Sequence, residues 1–212
     1  MLRTLLLLVA VALLAGCSGG ETADSEPSAS PAPPPESTPP PALHAPTEEE
    51  IAAAREAGKV RLVLDTEKGT IELELDGEAA PIAVANFLNL VEVGFYTAMP
   101  FHRVEPGFVI QAGDPSRAGH PPVGYTIPDE VSPLRHVRGT LAMARLYRGN
   151  VMSPNSASTQ FYICLGDAPH LDRAGFTAFG SVIEGLDVID RIAVGDKILQ
   201  ARVLPQTEGD AT

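Results

Sequence analysis

The chain has no tryptophan, only two cysteines in 212 residues, and no basic tract, while acids outnumber bases 27 to 15. Two cysteines cannot build a disulfide framework, so the fold must rest on its apolar core. A net charge of −12 without a basic cluster argues against nucleic acid as a partner and against polybasic attachment to anionic lipid. No GxxxxGK stretch is present, so a phosphate cradle is not implied. The histidines, His44, His102, His120, His136 and His170, are scattered and form no HExxH. We therefore expect neither a metal nor a cofactor. Serines gather in "MSPNSASTQ" without a G-x-S-x-G elbow, which gives a serine hydrolase no support.

Long apolar runs are also missing. The longest N-terminal one, Leu5 to Leu14 behind Arg3, is too short to span a bilayer comfortably and reads as the core of a secretory signal over residues 1–16. It ends "LLAGC", and small residues before a cysteine resemble a lipoprotein signal, with Cys17 the lipidated N-terminus that would hold the protein on a membrane. The plainer alternative is cleavage near Ala15, leaving Cys17 an ordinary thiol. With Cys17 acylated, Cys164 has no disulfide partner and reads as a small buried hydrophobe. Ser18, where an aspartate would favour the inner membrane, points to the outer membrane of a two-membrane cell. The expected location is thus the bacterial envelope, lipid-anchored and extracytoplasmic.

From Cys17 to Gly58 there are eight acids and one base, and from Lys59 onward nineteen and thirteen. Ser18 to Pro46 holds nine prolines, five serines and one large aliphatic, Leu43, too little apolar surface to fold. Residues 17–46 are expected to be a disordered Pro-rich linker whose 29 residues from Ser18 could reach ~90 Å in polyproline geometry. Thr47 and Glu50 form a capping-box pattern and Gly58 a terminator, predicting a short helix over 47–58. One domain over 59–205 follows, and residues 206–212 read as a fraying tail.

Within that domain "KVRLVLDTEKGTIELELDG" predicts two strands around a turn, with Ile71, Leu73 and Leu75 inward and Glu72 and Glu74 outward. "APIAVANFLNLVEVGF" predicts a helix opened by Pro81, with Val84, Phe87, Leu88 and Val91 on its buried stripe. "FHRV", "FVIQAGD", "GTLAMA", "QFYICLG" and "FTAFGSVI" are strand candidates, and "GLDVIDRIAVG" a second helix with Leu186, Ile189 and Ile192 on one side. Many short strands with few helices point to an antiparallel barrel or sandwich.

The segment "FHRVEPGFVIQAGD" sets Arg103 among Phe101, Phe108, Val109 and Ile110 with no nucleophile or base beside it. A snorkelling arginine packing its stem on aromatic rings is the bland reading. Rotation of an X-Pro peptide bond is a reaction for which this composition suffices. Its barrier of ~18 to 20 kcal/mol arises from delocalisation of the nitrogen lone pair. In the twisted transition state the lone pair returns to nitrogen, so a guanidinium aimed there binds the twisted state better than the planar one. Arginine stays protonated, and an apolar pocket can grip the pyrrolidine ring while the other side turns.

F-H-R, G-F and Q-x-G-D at this spacing resemble the signature of cyclophilin-type peptidyl-prolyl isomerases. "PNSASTQFYICLG" and "HLDRAGFTAFGSVIEGLDVID" are similar to two further family blocks in the same order, covering Lys59 to about Leu204. The resemblance implies a mainly β fold, a closed eight-stranded antiparallel barrel capped by two helices, acting as a monomer on proline-containing polypeptides. By the same resemblance Arg103 is the catalytic arginine and Gln111 orients it. Phe108, Val109, Tyr162 and Leu171 are walls of the proline pocket, Gln160 and Ala144 line the adjoining groove, and His102 stands at the pocket edge. Arg145 falls where the family presents backbone groups to the residue before proline.

Strict alternation would set Phe108 opposite Val109, so both facing the pocket requires a bulge at "EPG". Several departures from the family pattern stand out. Val109 is smaller than the usual methionine, and Tyr162 replaces a frequent phenylalanine. His170 stands where many eukaryotic members carry a tryptophan that contacts cyclosporin, so weak cyclosporin binding is expected. "LYRGNVMS" is several residues longer than in bacterial relatives and lies beside the groove, touching on substrate preference. A non-catalytic proline-binding module or chaperone tethered to the membrane would share these residues, except that pure docking does not need Arg103.

Overall fold

The computed structural model describes residues 43–148 and 151–205. The signal segment, Cys17, nearly all of the proline-rich linker and the 206–212 tail lie outside the described residues. The described residues form four α-helices: α1 (Glu48–Ala57), α2 (Pro81–Glu92), α3 (Pro169–Arg173) and α4 (Leu186–Ile189). The strands are β1 (Lys59–Thr66), β2 (Gly69–Asp76), β3 (Arg103–Glu105), β4 (Val109–Ala112), β5 (Thr140–Met143), β6 (Tyr147–Arg148), β7 (Val151–Met152), β8 (Phe161–Cys164), β9 (Ala178–Glu184) and β10 (Ile198–Val203). No described helix is long and apolar enough to cross a membrane.

Local chemistry explains the element ends. Thr47 Oγ1 accepts from the Glu50 backbone N–H while the Glu50 carboxylate accepts from that of Thr47, a reciprocal cap on α1. Pro81 opens α2, where its missing N–H costs nothing. Two further N–H groups of that first turn, those of Ile82 and Ala83, donate to the Glu130 carboxylate, so a distant loop caps the helix. The buried stripe of α2 is Val84, Phe87, Leu90 and Val91. Leu88, expected inward, is only half-buried.

The main sheet is antiparallel with eight strands in the order β10-β1-β2-β9-β5-β8-β4-β3. It curls but does not close as the expected barrel: β3 and β10 remain its two edges. The edges meet only through an isolated bridge between Pro100 and Lys197 and neighbouring bonds such as Phe101 N–H to the Asp196 carbonyl, 2.9 Å. The bonds of this bridge come from the flanking residues, Phe101 N–H to the Asp196 carbonyl and Ile198 N–H to the Met99 carbonyl, so Pro100 sits at a non-hydrogen-bonded position where its missing N–H is not needed. The second long helix is also corrected. α4 is a single turn, with Ile189 and Ile192 buried but Leu186, expected on the same side, exposed. β10, α3 and the small hairpin β6–β7 were not among the predicted elements.

Period-2 alternation sorts the central strands between two apolar clusters. Ile110 and Ala112 of β4, Leu141 and Met143 of β5, and Phe161 and Ile163 of β8 enter the main core beneath α2. There Phe87 meets Tyr96, Phe161 and Phe179 at ring centroid distances of 4.9, 5.3 and 5.3 Å. Their neighbours Val109, Ala142, Tyr162 and Cys164 face the other way and join Ala144, Leu171, Phe176 and Ala178 in a second cluster. That second face carries the site.

Candidate active site

Arg103 and Gln111 are direct partners across the β3–β4 ladder, so their side chains stand on one face. Arg103 Nη1 donates to Gln111 Oε1 at 3.1 Å, and Gln111 Nε2 donates to Gln160 Oε1 at 2.8 Å. Arg103 Nε and Nη2 both donate to Glu105 Oε1, at 2.9 and 2.7 Å. A guanidinium has five N–H groups. Three are held by Glu105 and Gln111, and no described residue engages the other two. The guanidinium carbon lies 5.6 Å from the Phe108 ring centroid, within cation–π range.

Phe108 reaches the same face by a route other than the expected bulge. The β3–β4 register runs without a shift from Arg103↔Gln111 to Glu105↔Val109. Phe108 lies outside both strands, in the turn, with its N–H bonded to the Glu105 carbonyl at 2.9 Å. Gly107 takes φ 74°, which glycine adopts without strain. Freed from alternation, Phe108 joins Val109 at the site. The turn is held from below: Leu165 N–H donates to the Phe108 carbonyl at 2.8 Å, and a side chain at Gly166 would place its Cβ 2.6 Å from the Gly107 carbonyl oxygen.

These residues border a cleft of about 570 Å³ that also includes Ala144, Arg145, Gln160, Tyr162, His170 and Leu171. The volume suits a ligand of a few residues. Arg103, Gln111, Phe108, Val109, Ala144, Arg145, Gln160, Tyr162 and Leu171 are therefore brought together. His102 is not among the residues that border the cleft, but its ring meets the side chain of Gln160, which does border it. Burial holds its imidazole below the ordinary histidine range, with Asp114 acting in the other direction.

Phe176 and Ala174 are contributors that the sequence did not mark, while Leu146, Tyr147 and Met152 come from the stretch "LYRGNVMS" expected beside the groove. Behind the cleft wall, His136 is buried between Asp172 (Nδ1 to Oδ1, 2.7 Å) and the Tyr162 hydroxyl (Nε2 to oxygen, 2.9 Å). Burial raises the Tyr162 phenol well above its ordinary value. Arg145, treated in sequence only as a backbone anchor, has a buried side chain that donates to Asp129 Oδ1 (2.9 Å) and to the carbonyls of Ala174 (2.9 Å) and Gly175. Its guanidinium carbon sits 4.7 Å from the Phe176 ring centroid. Cys164 is buried, and burial pushes its thiol up to about 12, the state of an inert thiol. Among the described residues no three His, Cys, Asp or Glu side chains group closely enough to hold a metal ion.

Residues 61–208 match the family model described as cyclophilin type peptidyl-prolyl cis-trans isomerase/CLD. The chain is 42% identical over 144 residues to a peptidyl-prolyl cis-trans isomerase of Synechococcus elongatus, covering 67% of this chain and 94% of the relative. It is 41% identical over 155 residues to one of Helicobacter pylori, covering 71% and 88%. A Cryptosporidium parvum cyclophilin type peptidyl-prolyl cis-trans isomerase, solved in the presence of the dipeptide Ala-Pro, superposes with a TM-score of 0.60 at 28% identity, covering 69% of this chain and 99% of that one. The cyclophilin AquaCyp293 of Hirschia baltica, at 23% identity and TM-score 0.60 over 74% of this chain and 80% of that one, shares the fold. With the match running through nearly the whole folded region, the chain belongs to the cyclophilin-type peptidyl-prolyl cis-trans isomerase family.

Proposed function

We propose that the protein accelerates rotation about X-Pro bonds by gripping the proline ring in the cleft and donating an Arg103 N–H to the prolyl nitrogen of the twisted transition state. One observation carries this reading: no described residue engages two of the Arg103 N–H groups, while Glu105 and Gln111 hold its other three at the rim of an apolar cleft. A donor fixed before substrate arrives needs no reorganisation as the lone pair localises. Phe108, Val109, Tyr162, Leu171 and Phe176 supply the grip. Gln160 orients Gln111, which orients Arg103. No bond is made or cut, so nothing in the cleft has to titrate.

The N-terminal pattern adds a location. A lipidated Cys17 with a proline-rich tether would place the domain outside the cytoplasm, where its substrates are proline-containing segments of envelope or secreted proteins. Loss of lipid-precursor label in Cys17→Ser is the expected result, and persistent label removes the anchor.

The catalytic reading is tested by isomerisation of a short X-Pro peptide. Arg103→Ala should lose about 2 to 4 kcal/mol of transition-state stabilisation, the scale for one well-placed donor, while still binding the peptide. A wild type that binds but does not accelerate rotation would instead mark a docking module.

A further inference from the structure

The cleft continues beyond the proline-gripping residues onto the hairpin β6–β7. Tyr147 and Met152 are directly opposed across its two-residue ladder, and Arg148 faces Val151. Opposed residues share a face, so the hairpin turns Tyr147 and Met152 to one side and Val151 to the other. The first pair lines the cleft and Val151 does not. Met152 also packs against the cluster containing Tyr162, Leu171 and Phe176.

The base of the hairpin is fastened rather than loose. Ser153 N–H donates to the Leu146 carbonyl, and Leu146 N–H to the Oγ of buried Ser156, both at 3.0 Å. Asn155 and Asp129 exchange two further bonds, 2.7 and 2.9 Å. Yet Leu146 and Tyr147 remain 46% and 65% exposed. Two large apolar side chains are thus held in the open on the wall of a binding cleft, where water contact is unfavourable until something covers them.

We propose that Leu146, Tyr147 and Met152 form an apolar subsite for a residue flanking the proline, so that the protein selects X-Pro segments with an aliphatic or aromatic neighbour. The occupant is the substrate chain itself, because the subsite and the proline grip are one continuous cleft. The inference rests on the proline reading of that cleft. Its contribution is uniform binding, present before and during rotation, so it enters through KM.

The test uses the full chain and short peptides carrying Ala, Leu, Phe or Glu at the positions on either side of proline, read both as kcat/KM and as Kd. At one flanking position Leu or Phe should exceed Glu by about tenfold, carried by KM and Kd, and Tyr147→Ser should reduce the ratio to about twofold. Val151→Ser, on the other face of the hairpin, should keep the full preference. An unchanged ratio in Tyr147→Ser, or a wild type indifferent to every flank, overturns the subsite. Absent turnover with the preference intact in Kd sinks the isomerase reading and upholds the subsite, so the two failures are distinct.

Discussion

His136 Nε2 lies 2.9 Å from the Tyr162 hydroxyl, so a ring on the cleft wall is fixed from behind by a buried imidazole. Asp172 accepts from both the backbone N–H of His136 (3.0 Å) and Nδ1 (2.7 Å). A carboxylate can only accept, which puts a hydrogen on Nδ1 and leaves Nε2 paired with the phenol oxygen. The hydroxyl that distinguishes this chain from the common phenylalanine is therefore spent inside the protein, and the face of the ring is left for the cleft. Tyr162→Phe should cost about 1 to 3 kcal/mol by leaving Nε2 without a partner. Adding His136→Leu should cost less than the sum of the single changes, since the two share one bond. Urea unfolding of the four proteins checks this, and strict additivity would count against the bond.

The same network sets an acid limit. The Asp172 carboxyl is held below the usual carboxylate range, first by its hydrogen bond from the His136 side chain, then by the His136 backbone N–H and the Arg135 cation, against the opposing effect of burial. A group depressed in the folded state stabilises above its unfolded pKa of about 3.9 and loses that contribution as pH falls through the lower folded value. Wild type should therefore exceed Asp172→Asn in melting temperature near neutral pH, with the gap narrowing below about pH 4. A gap independent of pH would mean that shape rather than charge matters at this position.

Arg145 braces three segments at once: the loop at Asp129, the turn after α3 at Ala174 and Gly175, and the Phe176 ring. Its ion pair with Asp129 is largely buried, the two side chains being 9% and 17% exposed. Removing one partner of such a pair leaves the other uncompensated, so Arg145→Ala should cost about 3 to 5 kcal/mol. Arg145→Lys should recover only part, because an ammonium lacks the planar fork and stacks less well. KM for an X-Pro peptide should rise with the lysine variant, since Phe176 loses its backing. Full recovery by lysine in both stability and KM would rule out the fork geometry as the cause.

Legibility in the sequence followed the range of the forces involved. The capping box at Thr47 and the alternation of Ile71, Leu73 and Leu75 are local patterns and read directly. Most residues assigned by resemblance fell into one cleft because β3, β4, β5 and β8 carry them in neighbouring registers. β10 was hidden because it is an edge strand with Ile198 alone fully buried, so no apolar period marks it. Barrel closure depended on what Pro100 meets far along the chain. Phe108 needed the geometry of a turn, which no local pattern announces. His136 looked like one of five scattered histidines, and only the fold puts Asp172 and Tyr162 on its two ring nitrogens.

His170 offers a sharper use of the same cleft. It is exposed and stacks on Phe108, with ring centroids 5.4 Å apart and planes 29° from parallel. Where related eukaryotic proteins present a tryptophan to cyclosporin, this position presents a smaller, more polar ring already engaged by its neighbour. A bulky apolar cyclic peptide would gain less buried area and would lose the indole N–H as a donor. Wild type should therefore be inhibited only weakly by cyclosporin in a peptide isomerisation assay. His170→Trp should tighten inhibition by about tenfold or more if aromatic area is the missing element. Nanomolar inhibition of the wild type would show that the histidine substitutes fully for the indole, and an unchanged His170→Trp would move the deficit to Val109, the other wall residue smaller than its usual counterpart.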